Sequence, residues 1–87
     1  MKEDEKRFFR TAVRYARQMT DDGECVGISF RDLITFLSEY IHHKRCWYLL
    51  QKWSRLGFYN WGVCLDLGWL ELDKLPERYI EVLMSEH

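Results

Sequence analysis

The chain has 87 residues, of which 47% are hydrophobic and 16% aromatic, so it contains enough apolar material for one hydrophobic core. We therefore expect a single domain over residues 1–87. No stretch approaches the roughly 18 consecutive apolar residues of a membrane span, and residues 1–6 lack the apolar run of a signal peptide. Cys25, Cys46 and Cys64 form no Cys-x-x-Cys pair, which favours a reducing compartment. We expect a cytoplasmic protein that binds no membrane.

The formal net charge of −1 conceals a segregation of charge along the chain. Residues 1–19 carry six basic and three acidic side chains, and residues 42–55 carry four basic side chains and no acidic one. Acidic side chains exceed basic ones by four in both 20–41 and 56–87. This distribution permits a local basic face for nucleic acid, although the two acidic segments suit a protein partner equally well.

The first predicted helix covers residues 6–19 and is amphipathic. Its apolar positions recur at helical spacing: Phe9, Ala12, Val13, Ala16 and Met19. Its basic positions gather on a different side: Lys6, Arg7, Arg10, Arg14 and Arg17. A cluster of turn residues from Thr20 to Glu24 then predicts a surface loop.

A short strand is predicted over residues 25–28, and a second helix follows it. Ser29 stands three residues before Asp32, as in a capping box, so we expect this helix to start there and to end near Tyr40. Its apolar positions are Phe30, Leu33, Ile34, Leu37 and Ile41. Helical spacing of these positions predicts that one side of the helix faces the core.

The third predicted helix covers residues 43–56. A single apolar stripe runs along it: Cys46, Leu49, Leu50, Trp53 and Leu56. Gly57 follows the last of these positions, where a glycine commonly ends a helix. Only residues 41–43 separate the second and third helices, and two amphipathic helices joined so tightly predict a helix-turn-helix unit.

Residues 58–72 are rich in aromatic and β-branched side chains and contain two glycines, which predicts a β-hairpin. Turn residues occur at both 60–62 and 66–68, so the sequence leaves the position of the reversal open. Pro76 suits the first turn of a short last helix. The residues of that helix expected to pack on the core are Tyr79, Ile80, Leu83 and Met84.

This order of elements over residues 6–84 resembles the winged helix-turn-helix superfamily of DNA-binding domains. Residues 45–58 carry most of the resemblance, because they look like a recognition helix that passes into the first wing strand through a Leu-Gly-apolar step. The resemblance implies a mainly helical α+β fold with a three-helix core, a β-hairpin wing and a short C-terminal helix. It also implies a DNA-binding module, such as a small bacterial transcriptional regulator or an accessory protein of a phage or mobile element.

The third helix carries a basic face opposite its apolar stripe, and we expect this face to contact double-stranded DNA. The predicted DNA-binding residues are Lys44, Arg45, Tyr48, Gln51, Lys52, Arg55 and His43. Lys44, Arg45 and Lys52 are expected to hold phosphates, whereas Gln51 and Arg55 suit hydrogen bonding to base edges. Flanking contacts are expected from four arginines of the first helix: Arg7, Arg10, Arg14 and Arg17.

An alternative function is that of a protein-interaction module with the same fold, which docks or self-associates without binding DNA. Exposed aromatic side chains are common anchors of such interfaces. The aromatic residues available for this role are Trp47, Tyr48, Tyr59, Trp61 and Trp69. We expect most of the hairpin aromatics to seal the small core instead.

Metal binding and catalysis have little support in the sequence. His42, His43 and Cys46 match no zinc-ligand spacing. The chain contains no Gly-rich phosphate loop, no Gly-x-Ser-x-Gly and no His-Glu-x-x-His motif. We therefore expect no metal, no cofactor and no enzymatic activity, and we expect His42 and His43 to cap the turn or contact phosphate.

Overall fold

The computed structural model of the chain describes residues 1–19 and 28–85. Its elements, in chain order, are α1 (Glu3–Met19), β1 (Ile28–Ser29), α2 (Arg31–Phe36), α3 (His43–Leu56), β2 (Tyr59–Trp61), β3 (Leu67–Leu70), a 3₁₀ turn (Leu72–Lys74) and α4 (Glu77–Met84). This mainly helical α+β order is compatible with a winged helix. No helix among the described residues combines the length and the apolar character needed to cross a bilayer.

The three strands form one antiparallel sheet in the order β1-β3-β2. Tyr59 pairs with Leu70 and Trp61 with Gly68, so the predicted hairpin is confirmed. The reversal occupies residues 62–66, which share Gly62 with the first predicted turn position and Asp66 with the second. Asp66 ends the reversal, and its carbonyl accepts the backbone N–H of Phe30 at 2.7 Å and so extends the β1–β3 pairing.

A cluster of buried aromatic rings joins α1, α3, α4 and the start of the hairpin. The ring of Phe9 makes T-shaped contacts with Trp53 at 5.6 Å and with Phe58 at 5.9 Å between centroids. It meets Tyr79 of α4 at 5.0 Å. Phe8, which lies outside the predicted apolar stripe, is also buried and stacks on Trp53 at 5.1 Å. Each such pair contributes about 1 kcal/mol beyond the apolar area that it buries.

The second helix is shorter than predicted and starts differently. Ser29 lies in β1, so the predicted capping box is wrong, and Phe30 precedes the first helical residue without a side-chain cap. The helix ends at Phe36 rather than near Tyr40. A tight turn follows, in which the N–H groups of Tyr40 and Ile41 both bond to the carbonyl of Leu37 at 2.9 Å. This turn keeps Leu37 and Ile41 in the core while it reverses the chain.

The third helix has the predicted boundaries, His43–Leu56. Gly57 ends it in the left-handed conformation, with φ of 96°, and its N–H bonds to the carbonyls of Trp53 and Ser54 at 3.1 Å. Leu56 is 39% exposed, so its predicted place in the apolar stripe is wrong. Position i+10 lies about 80° around a helix from position i, which moves Leu56 away from the core.

The last helix begins at Glu77, one residue after Pro76. Tyr79 is buried and Leu83 packs against the core, as predicted, and Val82 is buried as well. The predicted packing of the other two residues is wrong, because Ile80 and Met84 are exposed. Positions 79, 82 and 83 share one side of a helix, and position 80 lies on a different side.

The close packing of β2 on β3 predicts that a side chain at position 68 destabilises the fold. A Cβ atom there would lie 2.2 Å from the carbonyl oxygen of Asn60 and 2.8 Å from Tyr59 Oη. We expect Gly68→Ala to lower the free energy of unfolding by about 3 kcal/mol, which thermal denaturation followed by circular dichroism will register as a melting temperature lower by about 15 °C.

Gly62 provides the matched control, since a Cβ atom there meets nothing within 4 Å. Gly62→Ala is expected to change the free energy of unfolding by about 0.5 kcal/mol or less. Equal melting temperatures for the two variants would contradict the described packing of the hairpin.

Candidate nucleic-acid interface

One side of α3 presents a line of exposed polar side chains to solvent. Its members, which we call the α3 stripe, are Lys44, Tyr48, Gln51 and Arg55. Spacings of four, three and four residues place them along a single line on the helix surface. The other side of α3 is buried in the core through Cys46, Leu49, Leu50 and Trp53. Since α3 contains no acidic residue, nothing within the helix neutralises the two cations of the stripe.

The other two predicted phosphate-binding cations of α3 bind carboxylates of α1. Arg45 donates from Nε to Asp4 Oδ2 at 3.0 Å and from Nη2 to Oδ1 at 3.4 Å. Lys52 Nζ donates to Glu5 Oε1 at 2.9 Å. The hydrogen bond from Arg45 lowers the pKa of Asp4. Both cations therefore have partners within the chain, and their charge is partly neutralised.

Glu5 is the residue that the sequence analysis missed and on which the position of α3 depends. It is 1% exposed, and its carboxylate accepts three hydrogen bonds from two other helices. Besides Lys52, the donors are Trp53 Nε1 at 3.2 Å and Tyr79 Oη at 2.5 Å, both to Oε2. The carboxylate thus ties α1 to α3 and α4. We call Glu5, Lys52, Trp53 and Tyr79 the Glu5 cluster.

Each donor of the Glu5 cluster stabilises the charged carboxylate. Burial by itself raises the pKa of Glu5, but the hydrogen bonds from Tyr79, Lys52 and Trp53 together bring it below its usual 4.5. Burial and the adjacent carboxylate raise the pKa of the Tyr79 phenol, which therefore stays protonated as a donor. The cluster consequently holds a negative carboxylate against one positive and two neutral donors.

Three of the four arginines of α1 predicted to flank DNA lie beside neighbouring elements of the chain. The Arg7 guanidinium lies 4.0 Å from the centroid of the Tyr40 ring, in the turn that precedes α3. Arg10 lines a groove between α1 and α4, and Arg14 lines a groove between α1 and α2. Arg17 is exposed near the end of α1. The contact of Arg7 with Tyr40 brings this part of α1 close to the turn that precedes α3.

A groove between the start of α1, α3 and α4 adds two cations that the sequence analysis did not include. Lys2 and Arg78 line it together with Arg45, Tyr48 and Lys52. Because Tyr48 belongs to both the groove and the α3 stripe, the positive surface continues from one to the other. Lys2 and Arg78 are distant from α3 in sequence, and only the packing of the three helices reveals their position.

The aromatic residues divide between core and surface. Trp47 is half-buried against the core, whereas Tyr48 is exposed, with the Arg45 guanidinium 5.2 Å from its ring centroid. In the hairpin, Tyr59 is buried and donates its hydroxyl to the Leu65 carbonyl at 2.6 Å. Trp61 is 42% exposed. Trp61 therefore presents more of its ring to solvent than the other hairpin aromatics.

The histidines at the start of α3 have a structural role. His42 Nδ1 accepts the backbone N–H of Lys44 at 3.2 Å, so the predicted capping of the turn is confirmed. The His43 ring stacks on that of His42 at 4.3 Å.

Burial raises the pKa of the Cys46 thiol to about 11, which keeps it protonated at neutral pH. Over 1–19 and 28–85, no three His, Cys, Asp or Glu residues converge as metal ligands do.

The Glu5 cluster predicts a specific dependence of stability on pH. A carboxylate with a lowered pKa stabilises the folded state above about pH 4.5, and this contribution is lost as the pH falls through its folded pKa. Glu5→Gln keeps the shape but removes the charge, so we expect a free energy of unfolding lower by about 2 kcal/mol at pH 7. Urea unfolding between pH 7 and pH 3 measures both effects.

Glu3→Gln is the matched control, because the Glu3 side chain is exposed and contacts only Lys6 at 3.4 Å among the described pairs. Its unfolding curve is expected to follow that of the wild type at every pH. The Glu5→Gln variant should instead approach the wild type in stability toward pH 3. If Glu5→Gln and the wild type lost stability in parallel with falling pH, the Glu5 carboxylate would not be the stabilising group.

Known proteins do not identify the chain. No family profile, curated protein sequence or solved structure matches it. Its function is therefore inferred from the surface chemistry of the α3 stripe and its surroundings.

Proposed function

We propose that this protein binds double-stranded DNA and that α3 is the helix that enters the major groove. The observation that carries the proposal is the exposed, acid-free α3 stripe on a helix that follows a short turn after α2. An element order compatible with a winged helix supports the same docking geometry, in which the second helix of the pair contacts base edges. More specifically, we propose a winged helix-turn-helix protein that acts either as a transcriptional regulator or as an accessory protein of a phage or mobile element.

The chemistry of the α3 stripe suits this role. Lys44 and Arg55, its two ends, lie eleven residues apart, or about 16 Å along the helix, which is longer than the major groove is wide, at about 12 Å. Lys44 neutralises a phosphate, and Arg55 can bond to guanine. Between them, Gln51 has the paired donor and acceptor that recognise adenine, and Tyr48 offers an apolar ring to a thymine methyl group.

The cations beside the stripe have two different roles in this proposal. The Arg45–Asp4 pair is partly exposed, so a phosphate can replace Asp4 as the partner of Arg45. Lys52 binds a carboxylate that is almost fully buried, and it serves to hold α3 in place. Lys2 and Arg78 add positive potential at the same groove.

Titration of a fluorescently labelled random duplex at several salt concentrations tests the proposal. Each cation that contacts a phosphate contributes about 0.9 to the slope of log affinity against log salt concentration. We therefore expect Lys44→Ala to weaken binding at low salt and to reduce this slope by about one. Gln51→Ala should leave the slope unchanged, because glutamine carries no charge that neutralises a phosphate.

Lys74→Ala is the matched control, because Lys74 is an exposed cation on the 3₁₀ turn that binds Glu71 at 2.6 Å. It should bind DNA like the wild type. The proposal fails if the wild type does not bind DNA at low salt, or if Lys74→Ala loses as much affinity as Lys44→Ala.

A protein-interaction module is the second candidate, and the hairpin provides the observation that favours it. Residues 58–70 contain one charged side chain, that of Asp66, which is buried and bound by Arg31 at 3.0 Å. A wing that lies beside a DNA backbone usually offers lysine or arginine to phosphates. The hairpin lacks such cations, so its exposed surface suits contact with protein.

A further inference from the structure

We propose that the chain binds a phosphate monoester in the groove between the start of α1, α3 and α4. The residues that line this groove, which we call the cationic groove, are Met1, Lys2, Glu5, Arg45, Tyr48, Lys52 and Arg78. Its volume of about 490 Å³ has room for a phosphate group and the carbon atoms next to its ester bond. The proposal does not rest on DNA binding, because the ligand can be a small phosphate ester.

The cationic groove holds more positive than negative charge. Its four cations come from separate parts of the chain: Lys2, Arg45, Lys52 and Arg78. Two carboxylates of α1 lie beside them, Asp4 against Arg45 and Glu5 against Lys52. The balance of these six side chains is a net charge of +2. Charge of one sign that converges in a groove attracts a counter-ion more strongly than charge spread over a surface.

Both carboxylates are already occupied by donors. Asp4 accepts hydrogen bonds from Arg45 on both of its oxygens. Glu5 accepts all three hydrogen bonds of the Glu5 cluster. None of the ion pairs among the described residues involves Lys2 or Arg78. These two cations therefore have N–H donors that no carboxylate in the described part of the chain accepts.

The other acidic side chains near the cationic groove face elsewhere. Glu81 lies one turn after Arg78 on α4 and lines a second groove, where Lys6 is its neighbour. Glu3 lines that second groove too and binds Lys6 at 3.4 Å. Glu77 lines neither of the two grooves. An anion in the cationic groove therefore meets only the two carboxylates that are already bound.

Part of the site is held in place before an anion binds. A guanidinium has five N–H donors and an ammonium has three. Arg45 uses two of these donors on Asp4, and Lys52 uses one on Glu5, so each keeps donors for a further partner. Both side chains are about one quarter exposed. Because their carboxylate partners already restrict them, little rotational freedom is lost when an anion binds.

The count of charges and donors favours a phosphate monoester over other anions. A monoester carries a charge of about −1.5 to −2 at neutral pH and has three terminal oxygens that accept hydrogen bonds strongly. A phosphodiester or a carboxylate carries a single negative charge and two such oxygens. Either of these would leave about half of the net charge of the groove without a partner. The dianion matches both the charge and the number of available donors.

An NMR titration of the ¹⁵N-labelled protein at low salt, with methyl phosphate and with dimethyl phosphate, tests the choice of anion. We expect methyl phosphate to bind with a Kd of about 1 mM and to shift the side-chain Nε–H signal of Arg78. Dimethyl phosphate, which has one charge, should bind at least about tenfold more weakly. Equal binding of the two probes, or no shift at about 20 mM methyl phosphate, would overturn the proposal.

Arg78→Ala should weaken methyl phosphate binding about fivefold, and Arg78→Lys should restore most of it. Circular dichroism of both variants should match the wild type, since Arg78 is exposed and only its contact with the Tyr79 ring is lost. Lys74→Ala is the matched control, because Lys74 is an exposed cation outside the groove. An equal loss in Lys74→Ala would show attraction to the protein as a whole and would contradict the site.

Two DNA duplexes of one sequence, with and without 5′-phosphates, distinguish the source of the monoester. Tighter binding of the phosphorylated duplex, by a factor that Arg78→Ala removes, would identify the ligand as a nucleic-acid end. Equal binding of the duplexes, or binding of neither, together with binding of methyl phosphate, would identify it as a small phosphate ester. Both results support the proposal. Absence of methyl phosphate binding overturns it whether or not the chain binds DNA, so the two proposals are tested separately.

Discussion

The buried carboxylate of Glu5 is the interaction on which the arrangement of the helices depends. A charged group in a protein interior is stable only when it is paired and hydrogen-bonded, and Glu5 meets both conditions through Lys52, Trp53 and Tyr79. The three donors come from α3 and α4. Satisfying this one carboxylate therefore fixes where α3 lies against α1 and against α4, in addition to the aromatic packing around Phe9.

This arrangement determines which cations of α3 remain available to a ligand. A basic helix face appears broad on a helical wheel, but the carboxylates of Asp4 and Glu5 bind the two cations on the side toward α1. The exposed α3 stripe is consequently narrower than the set of basic residues. The same packing brings Lys2 and Arg78 to the neighbouring groove. Contacts between helices, rather than net charge, shape the proposed DNA-binding surface.

The local signals of α3 made it the most predictable part of the fold and of the candidate site. Its boundaries follow from the helical spacing of its apolar residues and from Gly57. The same helical spacing places the α3 stripe on the side opposite the apolar residues, where it is exposed. The end of α2 was not predictable, because burial of Leu37 and Ile41 in a turn is a tertiary effect. The hydrogen bond between Tyr79 and Glu5 joins residues that are 74 positions apart in the chain. The one signal in the sequence was that Glu5 stands four residues before Phe9, which places both residues on the inward side of the first helix.

The most direct test of the central claim is a ¹H–¹⁵N NMR titration of the wild type with a short DNA duplex. The DNA-binding proposal predicts shifts of the backbone amides of the α3 stripe, while the Trp53 indole N–H, which is bound to Glu5 inside the protein, keeps its position. Shifts confined to the hairpin and the Trp61 indole, with an unchanged α3, would contradict it.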